Sequence, residues 1–205
     1  GYSLISVEKG PRGLRLNQQM FRYLQDGSDQ ERKWHVPIFL RAGTKTGVIE
    51  KTILLADGQQ SVELGDPVEW AVVNAGGHGF YRVRYGADLF DSLKRLQVRL
   101  SAVERFSLVN DTWASTLAGL TSLIDYLSLI DLLSDENDVN VWTTVIGSGH
   151  HLERILDDPQ CATLAKCLRT LLGPAVARFG WTPRRGESDL ESQLRGDLIN
   201  ALGTL

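Results

Sequence analysis

Apolar and polar side chains alternate with a period of two up to about residue 87, and beyond it the apolar positions recur with a helical period of 3.6. In the first part Leu14, Leu16, Gln18 and Met20 fall on one side of a strand and Arg15, Asn17, Gln19 and Phe21 on the other. Trp34, Val36, Ile38 and Leu40 alternate in the same way against His35, Pro37, Phe39 and Arg41. Pro37 has no N–H for a ladder, which predicts an edge strand or a bulge. Residues 43–47 (Gly-Thr-Lys-Thr-Gly) spell a loop before a strand over 48–55, and Asp57-Gly58 and Asp66-Pro67 mark turns around a strand at 61–64 and ahead of one at 68–73. Runs 68–73 and 80–85 are joined by Asn74-Ala75-Gly76-Gly77-His78-Gly79, which predicts a tight reversal between antiparallel strands. About seven short strands cannot bury their apolar faces singly, so residues 1–87 are expected to form an antiparallel β-sandwich.

From residue 88 the expectation is an α-helical array of antiparallel helix pairs, over 88–205. Asp88 is placed to cap a helix carrying Leu89, Phe90, Leu93 and Leu96. Ser101 and Glu104 have the capping-box spacing ahead of an apolar stripe of Phe106, Val109, Trp113, Leu117 and Leu120. A helix with Leu123, Leu127 and Ile130 precedes a polar break at 134–138. Trp142, Val145 and Ile146 form the next face, with Leu152, Ile155 and Leu156 beyond Gly147-Ser148-Gly149. Asp158-Pro159 reads as a cap with Pro at the first helical position, Gly173-Pro174 as a kink or break, and Ser188 with Glu191 as a second capping box.

Composition adds mainly exclusions. The 205 residues carry 22 basic and 25 acidic side chains, a net charge of -3 with the two signs interspersed. Neither a nucleic acid nor an anionic membrane surface is indicated, and no apolar run approaches the ~20 residues of a membrane span. Residues 1–5 lack the basic and long apolar regions of a signal peptide, and no initiator Met is present, so the sequence reads as a piece of a longer chain. Cys161 and Cys167 lie in one helical pattern, about 600° and about 9 Å apart, too far for a disulfide within a straight helix. They are expected as buried free thiols, which fits a reducing, cytoplasmic compartment.

No catalytic, metal-binding or cofactor-binding residue is assigned. His150-His151-Leu152-Glu153 is the one cluster with metal character. A zincin helix needs a second His four residues after the first, and positions 154 and 155 are Arg and Ile. The pair is expected at a solvated helix start, His35 on a strand surface and His78 in a turn. Gly77-His78-Gly79 is not followed by the helix of a dinucleotide loop, and residues 131–138 lack the ligand order of a calcium loop. Trp34 and Trp70 lie in phase with aliphatic neighbours and are expected in the core. The alternative is an interaction or carbohydrate-binding module that presents both rings to solvent.

Asn74 followed by Gly79-Phe80-Tyr81-Arg82-Val83-Arg84-Tyr85 resembles the Asn…Gly-(aromatic)-Tyr-Arg-Val-x-Tyr pattern of the aminopeptidase N family of zinc metallopeptidases. Gly1-Tyr2 with Val7, the strand at 16–21, Trp34-His35-Val36-Pro37-Ile38, Arg105 to Trp113 around Asn110-Asp111, and Trp181 with the helix at 187–202 are similar to that family in the same order. Ser3 and Met20 depart from its usual Pro and Arg. The resemblance implies a sandwich spacer followed by the start of a helical domain that arches over the active site. It also implies that the zinc helix and the substrate-binding strand lie in a preceding catalytic domain, which would be this chain's partner. Zinc and peptide substrate would then belong to the parent protein, and this piece alone would be inactive. An apolar strip bared by the missing neighbour leaves self-association of the piece open.

Overall fold

The computed structural model describes residues 2–24, 33–96 and 99–204. Two sheets form the sandwich. The first has the order β5-β2-β1-β7, from β1 (Ser3–Gly10), β2 (Gly13–Met20), β5 (Gln59–Glu63) and β7 (Arg82–Tyr85). The second has the order β4-β3-β6, from β3 (Val36–Thr44), β4 (Gly47–Leu55) and β6 (Val68–Val73). Each pairing is antiparallel except β1 with β7, which run parallel with Leu4 opposite Arg82 and Val7 opposite Tyr85. Period-two patterning becomes a core between the sheets: Ile5, Val7, Leu14 and Leu16 from one face meet Ile38, Leu40, Leu55 and Val73 from the other. Gln18, on the same side as Leu16, uses its amide as a strand partner. It accepts from Trp34 N–H at 2.7 Å and donates to Trp34 C=O at 2.9 Å.

Several local expectations are corrected. Runs 68–73 and 80–85 do not pair with each other; β6 and β7 belong to different sheets, and the glycine-rich segment carries the chain across. Pro37 is not on an edge strand, because β3 is the middle strand of its sheet. β6 pairs with β3 only from Leu40 onward, so Pro37 sits where one side has no ladder to break. The loop after β3 shrinks to Lys45-Thr46, with Thr44 opposite Gly47. Trp70 lies outside the core. Gly43 pairs with Trp70 but Thr44 with Val68, so Glu69 is the extra residue of a bulge that keeps Val68 in the core with Ala71 and Val73, while Trp70 alternates with Val72 onto the outer face. There the indole lies on Gly43, where an added Cβ would come within 2.1 Å of the ring nitrogen. Trp34 is half-buried against the core rim.

α1 (Ala87–Leu96) packs on β6 and buries Leu89, Phe90 and Leu93; α2 (Ala102–Leu117) lies against β7 and the turn after β6. Strand thus gives way to helix at Ala87, yet the compact unit that contains the sandwich runs on to Ser122. The buried stripe of α2 keeps Val109 of the expected set and otherwise differs from it: Glu104, Leu108, Asp111, Thr112, Ala114 and Ser115 are buried, while Phe106, Trp113 and Leu117 are half-buried.

The second compact unit, Leu123–Leu205, holds α3 (Leu123–Ile130), α4 (Val139–Glu153), α5 (Asp158–Phe179) and α6 (Asp189–Thr204). Tyr126, Leu129, Trp142, Leu172 and Leu198 are its most buried large side chains, and Tyr126 O–H donates to Ser148 Oγ at 2.7 Å. α4 runs straight through Gly147-Ser148-Gly149, so His150 and His151 end a helix and do not start one. The cap of α5 is Asp157, in a capping box with Gln160, and not Asp158. α5 continues past Gly173-Pro174 with no break; Pro174 lies on the exposed face, where its ring meets solvent. Cys161 and Cys167 are free, but neither is buried: Cys161 is half-buried and Cys167 exposed. Among the described residues no helix is long and apolar enough to cross a membrane.

Candidate functional site

Buried charge in the sandwich unit gathers where the chain passes from β6 to β7. Asn74 starts the crossing with a left-handed backbone (φ 67°), and its side chain closes the turn on itself: Gly79 N–H donates to Oδ1 at 2.6 Å, and Nδ2 donates to Gly79 C=O at 3.0 Å. Gly76 and Gly77 follow at φ 74° and 71°, a region costly for any side chain with a Cβ. So tight a turn leaves backbone N–H groups pointing inward with no ladder partner, and buried donors without partners cost free energy.

α2 supplies the acceptors. Glu104 closes the capping box with Ser101, whose N–H donates to Oε2 at 2.9 Å. The same carboxylate accepts Gly76 N–H at 3.1 Å and the Arg41 guanidinium at 2.8 Å. Two turns on, Asp111 accepts Val83 N–H at 2.9 Å and Arg82 Nη1 at 2.9 Å. Arg82 in turn donates to Tyr2 O–H at 2.8 Å and to Asn110 C=O at 3.2 Å. Tyr85 O–H closes the far side, accepting from Val73 N–H at 2.9 Å and donating to Val73 C=O at 3.2 Å.

The two carboxyls titrate in opposite senses. Burial raises Glu104, but the Ser101 and Gly76 N–H groups and Arg41 outweigh it and hold the carboxyl below its usual range. Burial dominates at Asp111 and pushes it up to about 6, against the pull of Val83 N–H and Arg82. Each carboxylate has an arginine and a backbone donor as fixed partners, the arrangement of a structural clamp. A general base needs an accessible lone pair within reach of substrate. Sequence patterning showed Glu104 only as half of a capping box, and Arg82 and Asp111 only as members of a family pattern. The signal that marks them is two acids seven residues apart on the stripe that also carries Leu108.

The four histidines do not gather at one place. His35 is exposed, and His78 stands edge-on to Phe39 with ring centroids 5.5 Å apart. His150 contacts Glu153 at 3.3 Å on the last turn of α4, beside His151. Among the described residues no group of three or more His, Cys, Asp or Glu side chains is placed to hold a metal ion. Residues 131–138 serve as a helix entry: Asp138 caps α4, and Glu136 is buried, accepting from the N–H groups of Asn137 and Asp138. Trp34 and Trp70, the rings of the binding-module alternative, are both half-buried.

Residues 70–205 match the model of the ERAP1-like C-terminal domain family. Along nearly its whole length the chain is similar to curated proteins, aminopeptidases among them. Aminopeptidase M1 of Arabidopsis thaliana is 29% identical over 222 aligned residues, covering 98% of this chain and 25% of that protein. Aminopeptidase M1-A of rice is 30% identical, covering 100% and 24%. Tricorn protease-interacting factor F2 of Thermoplasma acidophilum is 29% identical, covering 96% and 23%. The chain therefore spans about a quarter of the length of the relatives it matches. On the family match and this full-length likeness, the chain belongs to the ERAP1-like C-terminal domain family, as a C-terminal part of an aminopeptidase of the aminopeptidase N type.

Proposed function

We propose that this chain is a non-catalytic region of a longer zinc aminopeptidase that removes N-terminal residues from peptides. In that protein the sandwich bridges to the catalytic domain and the helices cover its active site. The observation that carries this is the alignment itself: nearly all of the chain corresponds to only about a quarter of each aminopeptidase. The buried acids are engaged within the fold, Glu104 with Gly76 N–H and Asp111 with Val83 N–H. Peptide hydrolysis of this kind needs three protein ligands, an open coordination position for water and a base within reach, and these would come from the rest of the parent. A reducing, cytoplasmic compartment belongs to the same proposal, supported by two cysteines left free.

The test uses the full-length parent and this chain side by side, each dialysed against zinc and then measured for metal content and for release of arylamine from aminoacyl arylamides. The parent is expected to hold zinc and to turn over, losing activity to a chelator, while this chain holds only trace metal and is silent. A metal-replete parent without turnover would overturn the aminopeptidase assignment. Stoichiometric zinc in this chain, lost on replacing His150 and His151 by Ala, would overturn its non-catalytic role.

A further inference from the structure

The outer face of the first sheet changes character halfway along β1. Leu4 is fully buried there, packed with Ala114 and Ala118 of α2. Two residues on stands Ser6, half-buried, and then Glu8, exposed. Across the strands Ser6 lies opposite Arg84 of β7 on one side and Asn17 of β2 on the other, and Asn17 lies opposite Gln59 of β5. The neighbouring row is Glu8, Arg15 and Ser61. Side chains opposite one another share a face, and a small serine between longer neighbours leaves a hollow there, about 440 Å³ in volume. Two features set it apart from a plain hydrated sheet face. Ser6 Oγ is shielded from solvent and has no hydrogen-bond partner among the described residues. Arg84 is tied by one nitrogen, Nη1 donating to Leu120 C=O at 3.0 Å, which orients the planar fork and leaves its other donors for a ligand.

The lining also selects the ligand. Among the described residues no aromatic ring lines the hollow, so neither a sugar nor a nucleobase finds a face to stack on. Arg15 and Arg84 stand against the single carboxylate of Glu8, which Arg15 meets at 3.6 Å, and one positive charge is left over. A carboxylate neutralises that charge and matches a guanidinium fork, whereas a phosphate dianion overfills it. Asn17 and Gln59 continue the row with amides that both donate and accept, the complement of a peptide group. We propose that the hollow around Ser6 and Arg84 binds one carboxylate carried on a peptide. Arg84 and Ser6 Oγ hold the carboxylate, and Asn17 and Gln59 hold the adjoining amide. An acidic side chain and a chain end supply the same chemistry.

Titrations of the isotope-labelled chain, followed by NMR at constant ionic strength, test this with four probes. They are N-acetylglutamyl amide, with a side-chain carboxylate; N-acetylglycylglycine, with a terminal one; the neutral amide of the latter; and inorganic phosphate. Saturable shifts at Ser6, Asn17, Gln59 and Arg84 are expected with at least one of the two carboxylates, and the tighter of them identifies the source. Glu8→Gln removes the competing acid and should tighten binding about threefold. Arg84→Gln should weaken it on the order of tenfold. Ser6→Val fills the hollow and leaves both arginines and the Leu120 bond in place, so it should abolish saturation even where loss of Arg84 disturbs the fold. Equal shifts with the neutral amide, tighter binding of phosphate, saturation that survives Ser6→Val, or no saturable shift with either carboxylate would each overturn the site.

Discussion

The two compact units face one problem with opposite signs. In the sandwich unit the critical turn, between β6 and β7, presents N–H groups inward, and α2 answers with carboxylates: Glu104 to Gly76 and Asp111 to Val83. In the helical unit the critical turn, between α3 and α4, presents carbonyls. A guanidinium answers there: Arg178 donates to Ser134 C=O at 2.7 Å and to Glu136 C=O at 2.6 Å, and Trp142 Nε1 adds a bond to Glu136 C=O at 3.0 Å. A left-handed glycine turn exposes donors, whereas the link between α3 and α4 turns its own carbonyls, at Ser134 and Glu136, toward Arg178. The charge of the buried side chain follows from which end of the peptide group the turn leaves open. Carboxylates sunk beside a sheet then need arginines of their own, here Arg41 and Arg82, while Arg178 spends its two terminal nitrogens on backbone carbonyls, with exposed Asp135 at 3.7 Å.

The largest effect is expected at Asp111. Asp111→Ala leaves Arg82 buried without its anion and Val83 N–H without an acceptor, and removing one member of such a pair costs on the order of 3–5 kcal/mol. Asp111→Asn, which keeps an acceptor for Val83, should recover part of the loss. Hydrogen exchange at the β7 amides reads this locally: opening should become faster in the Ala variant than in the Asn variant. Equal exchange in both and in the wild type would mean that the clamp holds nothing.

Next comes Arg178→Ala, which takes the guanidinium from Ser134 C=O and leaves Glu136 C=O with Trp142 Nε1 alone. Each buried group left unsatisfied costs about 1–3 kcal/mol. Arg178→Lys returns the charge but not the two-pronged geometry, so it should restore less than a second charge-based account would allow. The measurement is the denaturant midpoint of the helical unit, followed through Trp142 fluorescence. Full rescue by Lys would show that charge, and not the fork, is what the loop requires.

How much of this was legible in the sequence depended on the range of the interaction. Alternation placed Leu14, Leu16, Ile38 and Leu40 together on buried faces, because a strand's period needs no knowledge of its partner. Local spacing found the Ser101–Glu104 box for the same reason, since both residues lie on one turn. Trp70 was misplaced because Val72, with which it is in phase, is buried on the outer face of its sheet, and alternation along one strand does not say which face is the core. The crossing at 74–79 looked like a hairpin because its glycines demand a tight turn whichever sheet receives the next strand. The second task of Glu104 and the pairing of Arg82 with Asp111, 29 residues apart, depend on how α2 lies against β7. Buried histidine or thiol chemistry would have been read from type alone; a carboxylate used as a clamp looks like any surface acid until its partners are known.

A pH series separates the two carboxyls. Asp111 is raised from an ordinary value of 3.8 to about 6. The folded state therefore holds its proton more tightly than the unfolded chain, and that stabilisation is complete below about pH 4 and lost as pH rises through about 6. Glu104 is lowered, so its contribution is present above the ordinary value of 4.5 and disappears as pH falls through its folded value. The difference in stability between wild type and Asp111→Asn should shrink from pH 4 to pH 6, in favour of the variant. Glu104→Gln should show the reverse slope below about pH 5. Parallel curves for the two variants would remove the opposition.

The smallest effects are expected at the helix caps, and they sharpen the contrast between the units. Ser101 and Asp157 both cap through a full box, with Glu104 and Gln160 as the reciprocal partners, and loss of such a cap costs about 0.5–2 kcal/mol. Asp157 and Gln160 are exposed and bond to each other's backbone alone, so Asp157→Ala should stay near the low end and speed exchange only in the first turn of α5. Ser101→Ala loosens a residue whose carboxylate partner also holds Gly76 and Arg41. Its effect should spread beyond α2 into the crossing, where the Gly76 amide, protected in the wild type, becomes exchangeable. Exchange confined to the first turn of α2 would mean that Glu104 keeps its place without Ser101, and that the box and the clamp are two independent uses of one side chain.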